Sequence, residues 1–94
     1  MFEILHSGEK TVALVGRLDA SNEDKASAVL DRLEESTTLD FSELRYLASA
    51  GLGTLLRTQK RLMASGHGLK IVHMNPHIRE IFEMAGFHQI FEIE

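Results

Sequence analysis

The chain has 94 residues, 44% hydrophobic and 26% charged, a size and balance that fit one folded domain with one core and argue against disorder. Fourteen acidic against ten basic residues leave a formal net charge of -4 with no stripe of Lys or Arg, so direct nucleic-acid binding is not expected. The absence of cysteine removes disulfides, thiol nucleophiles and thiolate zinc sites, and no window approaches the roughly 18 apolar residues of a membrane span.

From Phe2 to His6 apolar and polar residues alternate, Ser7-Gly8-Glu9-Lys10 carries turn chemistry, and Thr11 to Leu18 is β-branched and apolar. This pattern predicts a two-stranded hairpin. In Asp19-Ala20-Ser21-Asn22-Glu23-Asp24, Ser21 and Asp24 stand at capping-box spacing, and the helix expected after them has Ala26, Val29, Leu30 and Leu33 as its inner stripe. Thr37 to Phe41 is expected to be a short strand. A helix is expected from Ala50 to near Gly66, with Leu52, Leu55, Leu56, Leu62 and Met63 on one face and Arg57, Lys60 and Arg61 on the other.

Leu69 to Met74, bounded by Gly68 and Asn75-Pro76, reads as a mostly buried strand. Asn75 is suited to cap a helix and Pro76 to occupy its first position. That helix carries Ile78, Ile81, Phe82 and Ala85 as its stripe and closes at Gly86, after which Phe87 to Ile93 is expected to form the last strand. Strands alternating with helices imply an α/β sandwich with parallel pairs in its sheet. The N-terminus, Met1 to His6, has no basic leader, so the chain is expected to be soluble and unprocessed.

The stretch with the most chemical content is Leu44-Arg45-Tyr46-Leu47-Ala48-Ser49-Ala50-Gly51-Leu52-Gly53. An apolar segment ends there and a helical pattern begins, which puts the Ser49 hydroxyl at a helix N-terminus. N–H groups in a first helical turn lack internal partners and carry partial positive charge, so Ser49 is suited to carry a phosphate. The alternative is a serine that simply caps the helix. Ala48, Ala50, Gly51 and Gly53 are small and let a partner surface approach the backbone.

Other constellations are weaker. Leu47-Ala48-Ser49-Ala50-Gly51 lacks the first glycine of a nucleophile elbow, and no histidine stands in a triad context. His73 and His77 have metal-ligand spacing, but Asn75-Pro76 between them is a strand-to-helix junction. Neither Gly51-Leu52-Gly53 nor Gly66-His67-Gly68 is followed by the Lys-Ser or Lys-Thr of a phosphate loop. The acidic residues follow no calcium-loop pattern. No metal, cofactor or catalytic residue is predicted.

Four short motifs in order resemble the STAS domain family, named for sulphate transporters and anti-sigma factor antagonists. Gly16-Arg17-Leu18-Asp19-Ala20 is similar to the family's Gly-x-Leu-Asp-Ala, and Leu39-Asp40-Phe41-Ser42 to its Leu-Asp-Leu-Ser. Tyr46-Leu47-Ala48-Ser49-Ala50-Gly51-Leu52-Gly53 resembles its aromatic-apolar-Asp-Ser-Ser/Thr/Ala-Gly-Leu-Gly signature. Near the end, Asn75-Pro76, Ile81-Phe82, Met84-Ala85-Gly86-Phe87 and Ile90-Phe91 match its Pro, Leu-Phe and Gly-Leu features. Nearly the whole chain is covered, as a single STAS domain, residues 1–94.

The resemblance implies a mixed β-sheet of about five strands with helices packed mainly on one face. It also implies a cytoplasmic, non-enzymatic anti-sigma factor antagonist, a monomer or weak dimer that binds an anti-sigma factor/serine kinase and is reset by a phosphatase. Carried over by position, the phosphorylated serine is Ser49. The partner-binding set is Asp19, Ala48, Ser49, Ala50, Gly51, Leu52 and Gly53, with Asp19 acting in partner contact or in capping. The family's aspartate before the serine is Ala48 here, and the chain stops soon after Ile93 where many members continue into a helix, which is expected to leave a surface open. Two other readings stay open: a constitutive STAS adaptor docking on a membrane transporter or signalling protein, and a small-ligand or nucleotide sensor.

Overall fold

A computed structural model describes all 94 residues, Met1–Glu94. The hairpin forms as expected from β1 (Phe2–Gly8) and β2 (Thr11–Leu18), antiparallel, with Phe2 opposite Gly16 and Ile4 opposite Leu14. Three strand-helix-strand units follow: α1 (Glu23–Leu30) into β3 (Thr37–Leu47), α2 (Ser49–Ala64) into β4 (Leu69–Val72), and α3 (Pro76–Met84) into the short β5 (Glu92–Ile93). The sheet order is β1-β2-β3-β4-β5, with every pair after the first parallel. Each parallel step moves the same way across the sheet, and right-handed crossovers then place the three helices on one face.

The residues agree with that layering. Phe2, Ile4, Val12, Leu14, Leu18, Leu39, Phe41, Leu69 and Ile71 are buried on the helix-covered face, within one core of 20 apolar residues. Phe82 of α3 sits at its centre, edge-on to Phe41, Phe87 and Phe91 with ring centroids 6.2, 5.9 and 5.6 Å away. Edge-to-face contact of this kind adds to the burial of each ring.

Several expectations about the elements are corrected. β3 runs to Leu47 rather than stopping at Phe41. Its register against β2 slips by one residue twice, Ala13–Asp40 to Val15–Glu43 and Gly16–Leu44 to Arg17–Tyr46. Each bulge inserts one unpaired residue and flips the alternation. The buried positions therefore run Thr37, Leu39, Phe41, then Leu44, then Leu47, and no simple period of two survives.

The second correction concerns α2, which starts at Ser49 and buries Gly51, Thr54, Leu55, Thr58, Gln59 and Leu62. Leu52 and Leu56 sit half-buried on its flank, and Met63 is exposed. Buried hydroxyls make the inner face look polar in sequence, yet Thr54 Oγ1 donates to Ala50 O (3.1 Å) and Thr58 Oγ1 to Thr54 O (3.0 Å). Gln59 is equally satisfied, its Nε2 donating to Ile90 O and its Oε1 accepting from Leu69 N–H, both at 2.7 Å. Polar groups with their bonds made within the fold are tolerated in a core.

Third, β4 ends at Val72 because His73 takes a left-handed backbone, φ 60°. Fourth, the chain after Gly86 forms a 3-10 turn, Phe87–Gln89, before β5, so little of Phe87–Ile93 is strand. Ala85 is exposed, outside the α3 stripe, and Leu33 is buried beyond the end of α1. The capping box is the fifth: it belongs to Asp19 and Asn22 and opens a 3-10 turn, Ala20–Asn22, ahead of α1. Ser21 cannot cap because its own N–H and hydroxyl both donate to Asp19 Oδ1, at 3.0 and 2.6 Å.

Candidate functional site at the start of α2

The ends of β2 and β3 lie side by side. Ala48 N–H donates to Leu18 O (2.9 Å), and this bond holds the Asp19 turn beside the first turn of α2. The serine does not occupy the cap position: the N-cap is Ala48, in extended backbone, and Ser49 is the first helical residue. Ala48 has no side-chain acceptor, and the first bond of the helix runs from Leu52 N–H to Ala48 O (3.1 Å). Ahead of it the N–H groups of Ser49, Ala50 and Gly51 have no intrahelical acceptor. Ser49 is exposed, and its hydroxyl makes no bond within the chain.

The two glycines of the signature differ in physical role. Gly51 is buried, and a Cβ built on it would lie 2.7 Å from both Leu18 Cγ and Leu47 Cδ1. Its lack of a side chain lets α2 seat on the ends of β2 and β3. Gly53 is exposed and a Cβ there would meet nothing within 4 Å. Nothing inside the molecule requires glycine at that point, although glycine in a helix costs about 0.5–1 kcal/mol against alanine.

The expected partner-binding set is therefore divided. Ser49 and Gly53 are exposed, Asp19, Ala48, Ala50 and Leu52 are half-buried at the same end of the sheet, and Gly51 is packed inside. Asp19 does cap: it accepts from Ser21 while Asn22 Oδ1 accepts its N–H at 2.8 Å. The Ser21 side-chain bond, then the Ser21 backbone bond, holds the Asp19 carboxyl below its ordinary value of 3.8, with Arg17 adding a smaller pull. Arg17 itself lies over the Tyr46 ring, 4.2 Å from its centroid, beside this junction. Sequence reading did not pair these two, because the contact depends on the second β3 bulge bringing Tyr46 opposite Arg17.

A serine nucleophile would need a histidine on its hydroxyl, and none is bonded to Ser49. The acid–histidine pair of the fold lies elsewhere, with His73 Nδ1 3.0 Å from Asp40 Oδ1. His77 sits in the first turn of α3, while His73 follows β4. No group of three or more His, Cys, Asp or Glu side chains is arranged to hold a metal ion.

Comparison with known proteins places this geometry in a family. A family model described as "Mlab, STAS domain" matches residues 3–92, and the chain belongs to the STAS domain family. It is 33% identical over 90 residues to BtrV of Bordetella bronchiseptica, whose name assigns it as an anti-sigma factor antagonist, covering 92% of this chain and 78% of that one. It is 28% identical over 93 residues to an anti-sigma F factor antagonist of Paenibacillus polymyxa, covering 94% and 80%. Among solved structures it is similar to the unphosphorylated form of the anti-sigma factor antagonist SpoIIAA, with a TM-score of 0.73 at 18% identity over 100% of this chain and 87% of that one. The phosphorylated form of SpoIIAA, from Bacillus, gives 0.72 at 19% identity, with 100% and 91% covered. The family and the five-stranded mixed sheet thus agree with the expectation from the motifs. No helix of the structure is long and apolar enough to cross a membrane.

Proposed function

We propose that this chain is an anti-sigma factor antagonist that docks the first turn of α2 on an anti-sigma factor with serine-kinase activity and is released when Ser49 is phosphorylated. The observation that carries this reading is the Ser49 hydroxyl itself, exposed at the first position of α2 and engaged by no other group. The names of the relatives support the antagonist role, and SpoIIAA, a structural neighbour, is a protein with a phosphorylated form. The chain acts without catalysis of its own, regulates transcription indirectly from the cytoplasm, and is reset by a phosphatase.

The electrostatics favour a switch. In the unmodified protein the small residues around Ser49 and Gly53 allow close backbone contact. Phosphorylation adds about -1.5 to -2 charges, of which the α2 N-terminus stabilises only about 0.3 to 2 kcal/mol. Burying that charge in an interface without a paired cation costs several kcal/mol. A net penalty of about 3–4 kcal/mol lowers affinity by about two to three orders of magnitude.

The test is affinity capture from the source-cell lysate with Ser49→Ala and Ser49→Asp baits, read by mass spectrometry. A kinase-like anti-sigma protein held by Ser49→Ala and lost by Ser49→Asp is the expected result. Equal retention by both baits would remove the switch.

Ala48 motivates a second reading. The residue at the N-cap has no carboxylate to orient the serine or a kinase's basic group. A constitutive adaptor without phosphate turnover would tolerate that loss. It would retain the same transporter or scaffold partner on both baits.

A further inference from the structure

The two edges of the sheet are built differently. β5 closes one of them with Glu92–Ile93 alone, and Glu92 and Glu94 flank Ile93, so that edge is short and charged, a form that resists further pairing. β1 forms the other edge and runs over 7 residues, Phe2–Gly8.

The hydrogen bonds show which way the β1 backbone points. Arg17 N–H donates to Met1 O (3.0 Å), and in the same register Glu3 stands opposite Val15 and Leu5 opposite Ala13. Alternate residues carry the bonds of an antiparallel ladder, so Met1, Glu3 and Leu5 bond to β2 while the N–H and C=O groups of Phe2, Ile4 and His6 point outward from the edge. One of these is used: Lys25 Nζ, from α1, donates to Phe2 O (2.9 Å) and pairs with Glu3 (3.3 Å). Past His6 the register shifts before Gly8, and the regular ladder ends. Between the lysine and that irregularity lie Ile4, Leu5 and His6. Leu5 points to the face opposite buried Phe2 and Ile4, the face without helices, and its side chain is a large apolar group left 46% exposed.

We infer that the β1 edge is a dimerisation surface, to which a second copy of this chain adds its own β1, antiparallel and centred on Leu5. A two-fold axis at Leu5 sets Ile4 opposite His6 of the second copy, and each such pair exchanges N–H···O bonds in both directions. The Leu5 side chains of the two copies then face each other at a pair without ladder bonds, where side chains lie closest. Neighbouring registers fail. Centring on Glu3 opposes like carboxylates, centring on Ile4 sets His6 against the Phe2 carbonyl that Lys25 holds, and centring on His6 runs into the irregularity at Ser7. Charge agrees with the Leu5 register, which carries the Glu9 turn of one copy toward Lys25 of the other. The charged groups bordering the edge are mixed in sign, Glu3, Glu9, Glu34 and Glu35 with Lys10, Lys25 and Arg32, so no single-sign field opposes a second copy. The surface shares no residue with the Ser49 site.

The test is sedimentation of the full chain at about 20 μM and about 1 mM, beside amide hydrogen exchange by NMR at the same concentrations. The wild type should shift from monomer toward dimer, and exchange at the Ile4 and His6 amides, open in the monomer, should slow with concentration. His6→Pro removes an outward N–H that no bond within the chain uses, and Leu5→Lys replaces an exposed side chain, so both should fold and dimerise at least about tenfold more weakly. Met63→Lys, the same exchange at an exposed position on α2, should leave the dimer intact. A chain that stays monomeric at the higher concentration, a dimer unaffected by Leu5→Lys and His6→Pro, or one weakened equally by Met63→Lys would overturn the surface. Protection of Ile4 and His6 only when another protein is added would assign the edge to that protein and overturn the second copy. Ser49→Asp leaves the association unaltered, so the outcome is separate from that of the phosphorylation switch.

Discussion

At the start of α3, Asn75 Oδ1 accepts from Ile78 N–H (2.8 Å), its Nδ2 donates to Leu44 O (3.1 Å), and Pro76 stands where a free N–H would otherwise be. At the start of α2, Ala48 offers no acceptor and Ser49 leaves its hydroxyl unengaged. Both are strand-to-helix junctions on the same side of one sheet. The first is closed by its own side chains and ties α3 to β3; the second keeps its polar groups available to something outside the chain. An uncapped end forgoes about 1 kcal/mol of stability. That difference separates a residue whose side chain builds the fold from one whose hydroxyl the fold leaves unengaged.

The comparison is most exposed to Asn75→Ala against Ser49→Ala. Losing the Asn75 cap and leaving Leu44 O without its partner should cost about 2–3 kcal/mol. Ser49→Ala should stay within about 0.5 kcal/mol of wild type, as for a surface substitution. Urea unfolding of both variants checks the pair, and a large loss in Ser49→Ala would mean that the α2 end is structural after all.

Within α2 the two glycines sharpen the same division. Gly51→Ala forces a methyl against Leu18 and Leu47 and should destabilise by about 1–3 kcal/mol. Gly53→Ala enters open space and should stabilise by about 0.5–1 kcal/mol while weakening partner binding. Denaturation midpoints measured beside partner affinity separate the two effects.

Ala48→Asp rebuilds the missing cap and should raise stability by about 1 kcal/mol. A calorimetric melt reports it, and no gain would mean that water or backbone geometry already satisfies the first-turn N–H groups.

The smallest effect is in pH. The 3-10 turn ahead of α1 is capped by a carboxylate, Asp19, whose folded pKa is depressed. The unfolded chain therefore binds the proton first, and the contribution is present above the ordinary value of 3.8 and lost as pH falls through the lower folded value. The stability gap between wild type and Asp19→Asn should thus be present at neutral pH and close in acid. Asn75, which is neutral, gives the α3 end no such dependence.

How far these features were legible varied with their physical origin. The hairpin, the Asn75-Pro76 start of α3 and the Gly86 stop depend on local chemistry, and the sequence pattern located them. The long β3 did not declare itself, since two bulges set by pairing with β2 break its alternation at Ser42 and Arg45. The inner face of α2 was misread because Thr54, Thr58 and Gln59 are buried through bonds whose partners lie elsewhere in the fold or in the turn before. For the site, the motif pointed to Ser49, but only the backbone shows that Ala48 holds the cap position and that Gly51 faces inward while Gly53 faces out.

The most direct measurement is intact-mass and peptide mass spectrometry of the chain incubated with the captured anti-sigma partner and ATP. One phosphate, located on Ser49 and absent from Ser49→Ala, is the result predicted for the switch. No phosphate, or phosphate on another residue, would contradict it.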